Sequence, residues 1–524
     1  MKFRKAAASL LAVSMAAMMP VSANAAIIGA DTDAPNTTKT DETIVVTLAS
    51  EPAYLWGAPK GETANETQII SSALYDTLVK TDKATGEVLP NLATAWEWVD
   101  GTHCKYTLRD DVMMKDGTPL CAEDVAYTVG VWMECSPNSD TGRFLAGAEV
   151  VDDQTVIVEY NVEAPDLVSM MSWSNFGIVC EADVEAAGGL EQAAVNPVIG
   201  SGKYNFVEWK TGQYVTLERN DNYWNPDYTG YFKTITIKFT NDAAAREMAV
   251  ESGDSNCAVD MPVVQAAAYA GNEAVNIPVY DFGQVTHLWM NMTEGRATAD
   301  QKVREAIAKA INYDALAAVG TANIGSKALG YFSSNSPYYT EMYSAEEKVQ
   351  DIEGAKALLA EAGYENGLTL EIIGTQDSTP TYTVLQANLA EAGITLNINT
   401  MDTPSFVMAS AIEANFDLVV VGEWVPNRNP SMFVFFDEDA AFCIGGPRAH
   451  DGVLEGTDDL VEAIIAESDE AKAKEMIDQL MTTVKEGAVE CDLYPELKAA
   501  VVSSDIKGFG TIERGFVDIT CMYK

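Results

Sequence analysis

The sequence predicts an α/β protein of about three lobes, or two large ones. Three observations carry that reading. The second half alternates helix-period with strand-period segments, which implies a largely parallel sheet covered by helices. The first third is written in short strands and hairpins. The composition, 47% hydrophobic and 21% charged over 524 residues, suffices for a substantial core without metal or disulfide staples.

In chain order, residues 1–25 stand apart from the fold. Lys2, Arg4 and Lys5 precede the apolar stretch Ala6 to Val21, and Ala23-Asn24-Ala25 has the small-residue pattern of a cleavage site. An export signal cut after Ala25 is expected. Residues 26–42, rich in Asp, Thr, Asn and Pro, read as a flexible leader. Thr43 to Ala49 is the first strand. Lys105 to Arg109, Val112 to Lys115 and the Asp116-Gly117 turn predict one hairpin; Glu149 to Val151 and Thr155 to Tyr160 predict another. Val215 to Arg219 and Thr234 to Phe239 are further strands.

The second half opens with capping-box spacing at Thr298 and Gln301. Val303, Ala306, Ile307, Ala310 and Ile311 then form one apolar helical face. Asp351 to Ala362 is a helix closed by Gly363. Leu368, Leu370 and Ile372 alternate as a strand, Tyr382 to Ala392 is a helix, and Ile394 to Ile398 is a strand. Thr403 and Pro404 open another helix. Phe416 to Val421, apolar throughout, reads as a strand buried on both faces. Ligands of parallel sheets sit beyond the carboxyl ends of the strands, so Gly422 to Pro430 is a candidate site. Met476, Ile477, Leu480, Met481 and Val484 mark a late amphipathic helix.

Charge and motifs exclude several classes of function. With 33 basic and 78 acidic residues the formal charge is −45, and removal of the signal takes it to −48. No nucleic-acid partner is expected, because phosphate binding needs clustered Lys and Arg. Docking on an anionic membrane surface is disfavoured for the same reason. No later stretch reaches 18 apolar residues, and no lipid-anchor cysteine lies beside the cleavage site. The eight cysteines, at 104, 121, 135, 180, 257, 443, 491 and 521, fit no C-x-x-C motif. Cys104 and Cys121 flank the first hairpin, where a disulfide and free thiols both stay open. The three histidines are scattered, and neither H-E-x-x-H nor G-x-S-x-G occurs. Gly200-Ser201-Gly202-Lys203 lacks the first glycine of a phosphate loop and has Tyr204 in place of Ser or Thr, so it reads as a turn. No catalytic residue, cofactor or metal is expected, and the chain reads as a non-enzyme.

Several segments, in order and spacing, resemble the extracellular solute-binding proteins of peptide-type ABC importers, family 5. They are Leu74 to Val79, Leu89 to Glu97, Leu108 to Val112, Asp116 to Pro119, Ala122 to Val125, Gly200 to Tyr204, Arg219 to Trp224, Val303 to Ile307 and Ala355 to Tyr364. Cys443 to Gly456 fits poorly. The resemblance implies an α/β two-lobe periplasmic binding protein fold, type II and cluster C-like, with an extra N-terminal subdomain. Lobe I is expected at 43–70, 196–288 and 492–524, the inserted subdomain at 71–195 and lobe II at 289–491, with crossings near Leu288 and Cys491. Trp96 and Trp224 read as packing, and Arg109 and Arg304 as loop-fixing side chains.

The implied function is capture of short peptides in an interlobe cleft by hinge closure and delivery to a membrane permease. The same fold also serves nickel chelates, haem, oligosaccharides or opine-like anions, or a sensor without transport. The expected partners are a small solute, a peptide on this reading, and ABC permease subunits; the protein is expected to be a periplasmic or extracellular monomer. In the family, an Asp four residues before a Pro of the second-lobe segment pairs with the peptide ammonium. Aligned on Pro430, that position is Pro426, which carries no charge. Glu423 and Glu51 are the candidate replacements, and Arg428 suits a ligand carboxylate or phosphate. Tyr54, Trp56, Gln376, Asp377, Thr379, Trp424 and Asn427 complete the candidate ligand-binding set.

Overall fold

The structure is a computed structural model. It describes residues 38–524 apart from 61–63, 83–85, 116, 136–141, 197–199, 229, 270, 376–377, 403–404, 407, 425–435, 437–456 and 513–514. In chain order the strands are β1 (Thr43–Leu48), β2 (Val79–Thr81), β3 (Val88–Pro90), β4 (Ala93–Trp98), β5 (His103–Leu108), β6 (Leu145–Asp152), β7 (Thr155–Tyr160), β8 (Tyr204–Lys210) and β9 (Tyr214–Arg219). There follow β10 (Thr234–Phe239), β11 (Cys257–Met261), β12 (Val275–Asn276), β13 (Val279–Met290), β14 (Leu368–Gly374), β15 (Ile394–Thr400), β16 (Leu418–Trp424) and β17 (Glu490–Ser503). The helices that matter below are α1 (Asn65–Leu74), α2 (Ala122–Cys135), α3 (Ala243–Ser252), α4 (Gln301–Ala310), α5 (Tyr313–Gly320), α6 (Ile352–Glu361), α7 (Thr379–Glu391), α8 (Asp458–Ala466) and α9 (Glu470–Glu486).

One sheet runs through the molecule in the order β15-β14-β16-β13-β17-β11-β1-β10-β9-β8, with β12 beside β17. It is mixed, which corrects the largely parallel expectation. β14 is parallel to β15 and β16, and β1 is parallel to β10 and β11. Between these two parallel sets lie the long strands β13 and β17, antiparallel to each other and to their neighbours. β13 meets β16 from Gln284 to Met290, while β17 meets β11 from Ala499 to Val502. The β13–β17 ladder therefore belongs to both halves. Leu288 and Cys491 are partners of each other within it. Its register shifts between Asp281 and Val285, around Gly283 at φ +76. Extra residues on one strand at such a shift bend it and increase its twist.

The amphipathic helices sit where their patterns put them. α4 to α7 cover one face of the second half, burying Val303, Ala306, Ile307, Leu316, Leu359, Leu385 and Leu389 against Leu288, Leu370 and Leu418. α9 buries Ile477, Leu480, Met481 and Val484 on the other face. The acid surplus has a local use here. Asp242, Asp300, Asp351 and Asp469 cap α3, α4, α6 and α9 by accepting backbone N–H bonds, which also places negative charge at the positive helix end. The cap of α4 is thus Asp300 rather than Thr298, whose hydroxyl donates to the Asn291 carbonyl. The helix expected at Tyr382 starts earlier, at Thr379, with Pro380 in its first turn. The Thr403-Pro404 helix start lies outside the described residues.

The first third differs from its expected pairing. β4, β5, β7 and β6 form a separate antiparallel sheet. β6 and β7 are the expected second hairpin. β5, however, pairs with β4 and β7 rather than with Val112 to Lys115. The turn at Gly117 closes only the Met113–Pro119 bridge, because β5 already has a neighbour on each side. Cys104 and Cys121 are both free thiols, Cys104 sealed inside this sheet.

Three of the segments that carry the resemblance meet at Asp76. Its carboxylate accepts bonds from Ser201 Oγ (2.9 Å), Tyr223 Oη (2.9 Å) and Trp224 Nε1 (2.9 Å). Gly202 lies against α1 so closely that a Cβ would sit 2.4 Å from the Leu74 carbonyl carbon. The Gly200 to Lys203 turn therefore holds protein backbone, not phosphate. Arg109 pairs with Asp111 and stacks on Trp224 at 3.8 Å. Arg304, 1% exposed, donates to the carbonyls of Thr298, Ala299, Gly487 and Ala488, tying α4 to the turn before β17. Arg304→Met leaves those buried acceptors without a donor. At roughly 1–3 kcal/mol for an unsatisfied buried group, a loss of about 3 kcal/mol or more is expected, read from the urea midpoint.

Candidate functional site

Two sets of parallel strands bring their carboxyl ends to one place. In the first half, β1, β10 and β11 end at Leu48, Phe239 and Met261. In the second half, β14, β15 and β16 end at Gly374, Thr400 and Trp424. Met261 pairs with Ala499 and Trp424 pairs with Gln284. Both sets therefore point at the same stretch of the shared ladder, around 281–285 and 495–499. Loops beyond carboxyl ends supply ligand sites in such sheets.

The side chains at this junction are polar and held. Glu496 Oε1 lies 2.7 Å from Lys498 Nζ, and the two side chains are 27% and 30% exposed. Lys498 Nζ sits 5.0 Å from the centre of the Phe282 ring. Gly422 leaves room for the neighbouring groups: a Cβ there would come within 2.8 Å of Gln284 Oε1 and 2.9 Å of Glu496 Oε2. At the end of β11, Asp260 adopts φ +52. Such backbone persists where the surroundings hold it. Here Arg246 donates to the Asp260 carbonyl (3.1 Å), and Tyr280 Oη lies 3.2 Å from Asp260 Oδ1. Burial raises the Asp260 carboxyl above its ordinary range, opposed by Lys498 and Tyr280. Asp281 accepts from Ser333, Asn335 and the Gly283 N–H, and burial raises it too.

The residues singled out from the sequence fall unevenly around this junction. Glu51 follows β1, but its carboxylate accepts from Trp209 Nε1 (2.7 Å) and the Gly212 N–H (2.8 Å), which ties that loop to the β8–β9 turn. Tyr54 is half-buried, and its carbonyl accepts from Thr67. Trp56 is 1% exposed, inside the core of the first half. Thr379 is exposed at the start of α7. Glu423 and Trp424 close β16, opposite Val285 and Gln284. Gln376, Asp377, Asn427 and Arg428 lie outside the described residues. Gln284, Asp260, Glu496 and Lys498 were missed by sequence reasoning. The signal for the last two is the Pro-Glu-Leu-Lys step at 495–498, charges set two apart just before the apolar run Ala499 to Val502.

A second charged group lies deeper, along the same ladder. His287 Nδ1 is 3.1 Å from Glu490 Oε2 and 3.1 Å from Asp492 Oδ1, all fully buried. Lys348 Nζ is 3.5 Å from Asp492 Oδ2 and donates to the Asp492 carbonyl. The Tyr331 ring lies 4.7 Å from His287. The His287, Glu490 and Asp492 donor atoms are within 4.8 Å of one another, close enough to hold a metal ion. Lys348 already supplies positive charge there, and the single Nδ1 contacts both carboxylates, so the group reads as a balanced structural cluster. Burial and the Asp492 charge push the Glu490 carboxyl well up. Burial acts in the same direction on Asp492, but Lys348 and His287 outweigh it and hold Asp492 below its usual range.

A raised carboxyl makes the fold more stable when protonated. Its contribution is complete below the ordinary Glu range, about pH 4, and is lost as pH rises through the raised value toward neutrality. Glu490→Gln should therefore gain on the unaltered protein between about pH 4 and pH 8, by about 1.4 kcal/mol for each unit of the shift. Urea unfolding across that range checks it; a stability difference that stays constant with pH would contradict the assignment.

Comparison with known proteins fits this geometry. The family profile described as bacterial extracellular solute-binding proteins, family 5 Middle, matches residues 87–439. The glutathione-binding protein GsiB of Escherichia coli O157:H7 is 25% identical over 351 residues, 65% of this chain and 66% of the relative. The chain thus spans about two thirds of the length of the curated relatives it matches. Among solved structures, the ABC transporter substrate-binding protein CtaP of Listeria monocytogenes superposes with a TM-score of 0.79 at 22% identity, covering 93% of this chain and 99% of that one. DppA of Helicobacter pylori, in complex with the peptide STSA, gives 0.74 at 20% identity, covering 92% and 98%. At such identities the likeness speaks for the fold, the two-lobe binding-protein architecture. Among the described residues, no helix is long and apolar enough to cross a membrane.

Proposed function

The chain belongs to the bacterial extracellular solute-binding proteins of family 5, and on that footing we propose that it captures short peptides for an ABC importer. The two halves meet at the β13–β17 ladder, and solute enters between them. Closure buries the solute and presents the closed form to the permease. A solute drives closure only to the extent that it binds the closed form better than the open one. One observation carries this reading: the carboxyl ends of both parallel strand sets converge on a stretch that already has a register shift.

Several further points support it. The half-exposed junction carries both charge signs, as a zwitterionic solute requires, whereas the deeper cluster is sealed. The named ligands of related proteins include glutathione and a peptide. In this reading lobe I comprises 43–70, 196–288 and 492–524, with 71–195 inserted and 289–491 forming lobe II. Trp424 at the end of β16 and Thr379 at the start of α7 stand on the lobe II side of the cleft, and Tyr54 on the opposite rim. The protein acts outside the cytoplasm as a monomer.

Calorimetry of the purified protein with a di- to pentapeptide library tests the ligand class directly. Binding of a subset with a negative heat-capacity change is expected, because closure buries apolar surface. An absence of heat and of thermal shift across the library would retire peptides as the cargo.

A further inference from the structure

Glu496 and Lys498 stand two residues apart on β17, so their side chains leave the same face of the strand. Two residues of a strand span roughly 6.5–7 Å. That is about the separation between the two charged ends of a short peptide. The pair lies where the strand ends of both halves converge, and both side chains are partly exposed. Gly422, at the end of β16, keeps the space beside Glu496 Oε2 and Gln284 Oε1 clear of any Cβ. A buried ammonium needs a partner, since leaving it unpaired is strongly unfavourable.

We propose that Glu496 and Lys498 are the charged anchors of the solute, Glu496 receiving the ammonium and Lys498 the carboxylate of a short zwitterionic peptide. This rests on the peptide-binding reading above and adds the residues that select for both free termini. In the unliganded protein the two side chains neutralise each other at 2.7 Å. Solute exchanges that internal pair for two intermolecular ones, so neither charge is left isolated when the cleft empties. The Phe282 ring beneath Lys498 and the Asp260 carboxylate near it hold the ammonium in place. A peptide lacking one charged end leaves one anchor unpaired in the closed form, and affinity falls.

The test crosses two variants with two blocked ligands. A dipeptide that binds the unaltered protein is compared with its N-acetylated and C-amidated forms, on the unaltered protein, Glu496→Gln and Lys498→Met. On the unaltered protein each block is expected to weaken binding roughly 30-fold or more, the range for stranding one partner of a buried charge pair. N-acetylation should then cost little on Glu496→Gln, and C-amidation should cost little on Lys498→Met. Lys498→Arg should keep the discrimination, which separates lost charge from lost folding. If the unaltered protein binds peptides and both variants still penalise both blocks in full, the anchors lie elsewhere and the peptide reading stands. If the unaltered protein binds no peptide, that reading falls and the anchor assignment with it.

Discussion

The structure depends on one ladder. β13 and β17 run antiparallel through the centre of the sheet, and every other strand of the large sheet is joined to the molecule through them. Neither half can close its sheet alone, because each would leave a row of backbone donors and acceptors without partners. The same ladder brings the carboxyl ends of two parallel strand sets together. It also carries the register shift at Asp281 to Val285, where hydrogen bonding is interrupted and bending costs least. The path of the large sheet and the convergence of its strand ends thus follow from a single run of backbone hydrogen bonds.

A strongly acidic chain has to place its carboxylates carefully. Many serve as helix caps, where the backbone N–H groups of the first turn satisfy them. Those inside the protein come with explicit partners: Asp76 has three side-chain donors, and Asp492 has His287 and Lys348. The half-exposed Glu496 and Lys498 have only partial shelter, at the place where a solute is proposed to arrive. A charge pair kept near water loses less solvation when it opens than a sealed pair does, so the junction is the place where charges can change partners.

Most secondary structure was legible in the sequence because it depends on local patterning. α6 begins and ends within a residue of its expected bounds, since Asp351 and Gly363 mark both ends chemically. The pairing of β5 was not legible. A turn at Asp116-Gly117 follows it closely, but its partners are β4, the strand just before it in the chain, and the distant β7, in a sheet that buries Cys104, Tyr106 and Leu108. The mixed character of the large sheet was also hidden, because two strands more than 200 residues apart form its spine. For the candidate site, the end of β16 and the loop after β14 were picked from strand polarity, which the sequence shows locally. Position after a strand does not distinguish a rim from a core, and the chain turns Trp56 inward, to 1% exposure. Glu496 and Lys498 were not singled out because only the tertiary fold brings β17 beside the ends of β11 and β16.

The proposed function requires the two halves to bend about the β13–β17 register shift and close over a solute. Small-angle X-ray scattering of the purified protein, without ligand and with a saturating peptide that binds, measures this most directly. The account predicts a smaller radius of gyration with peptide and a narrower distance distribution. Identical scattering curves in the two states, with binding confirmed in the same samples, would contradict it.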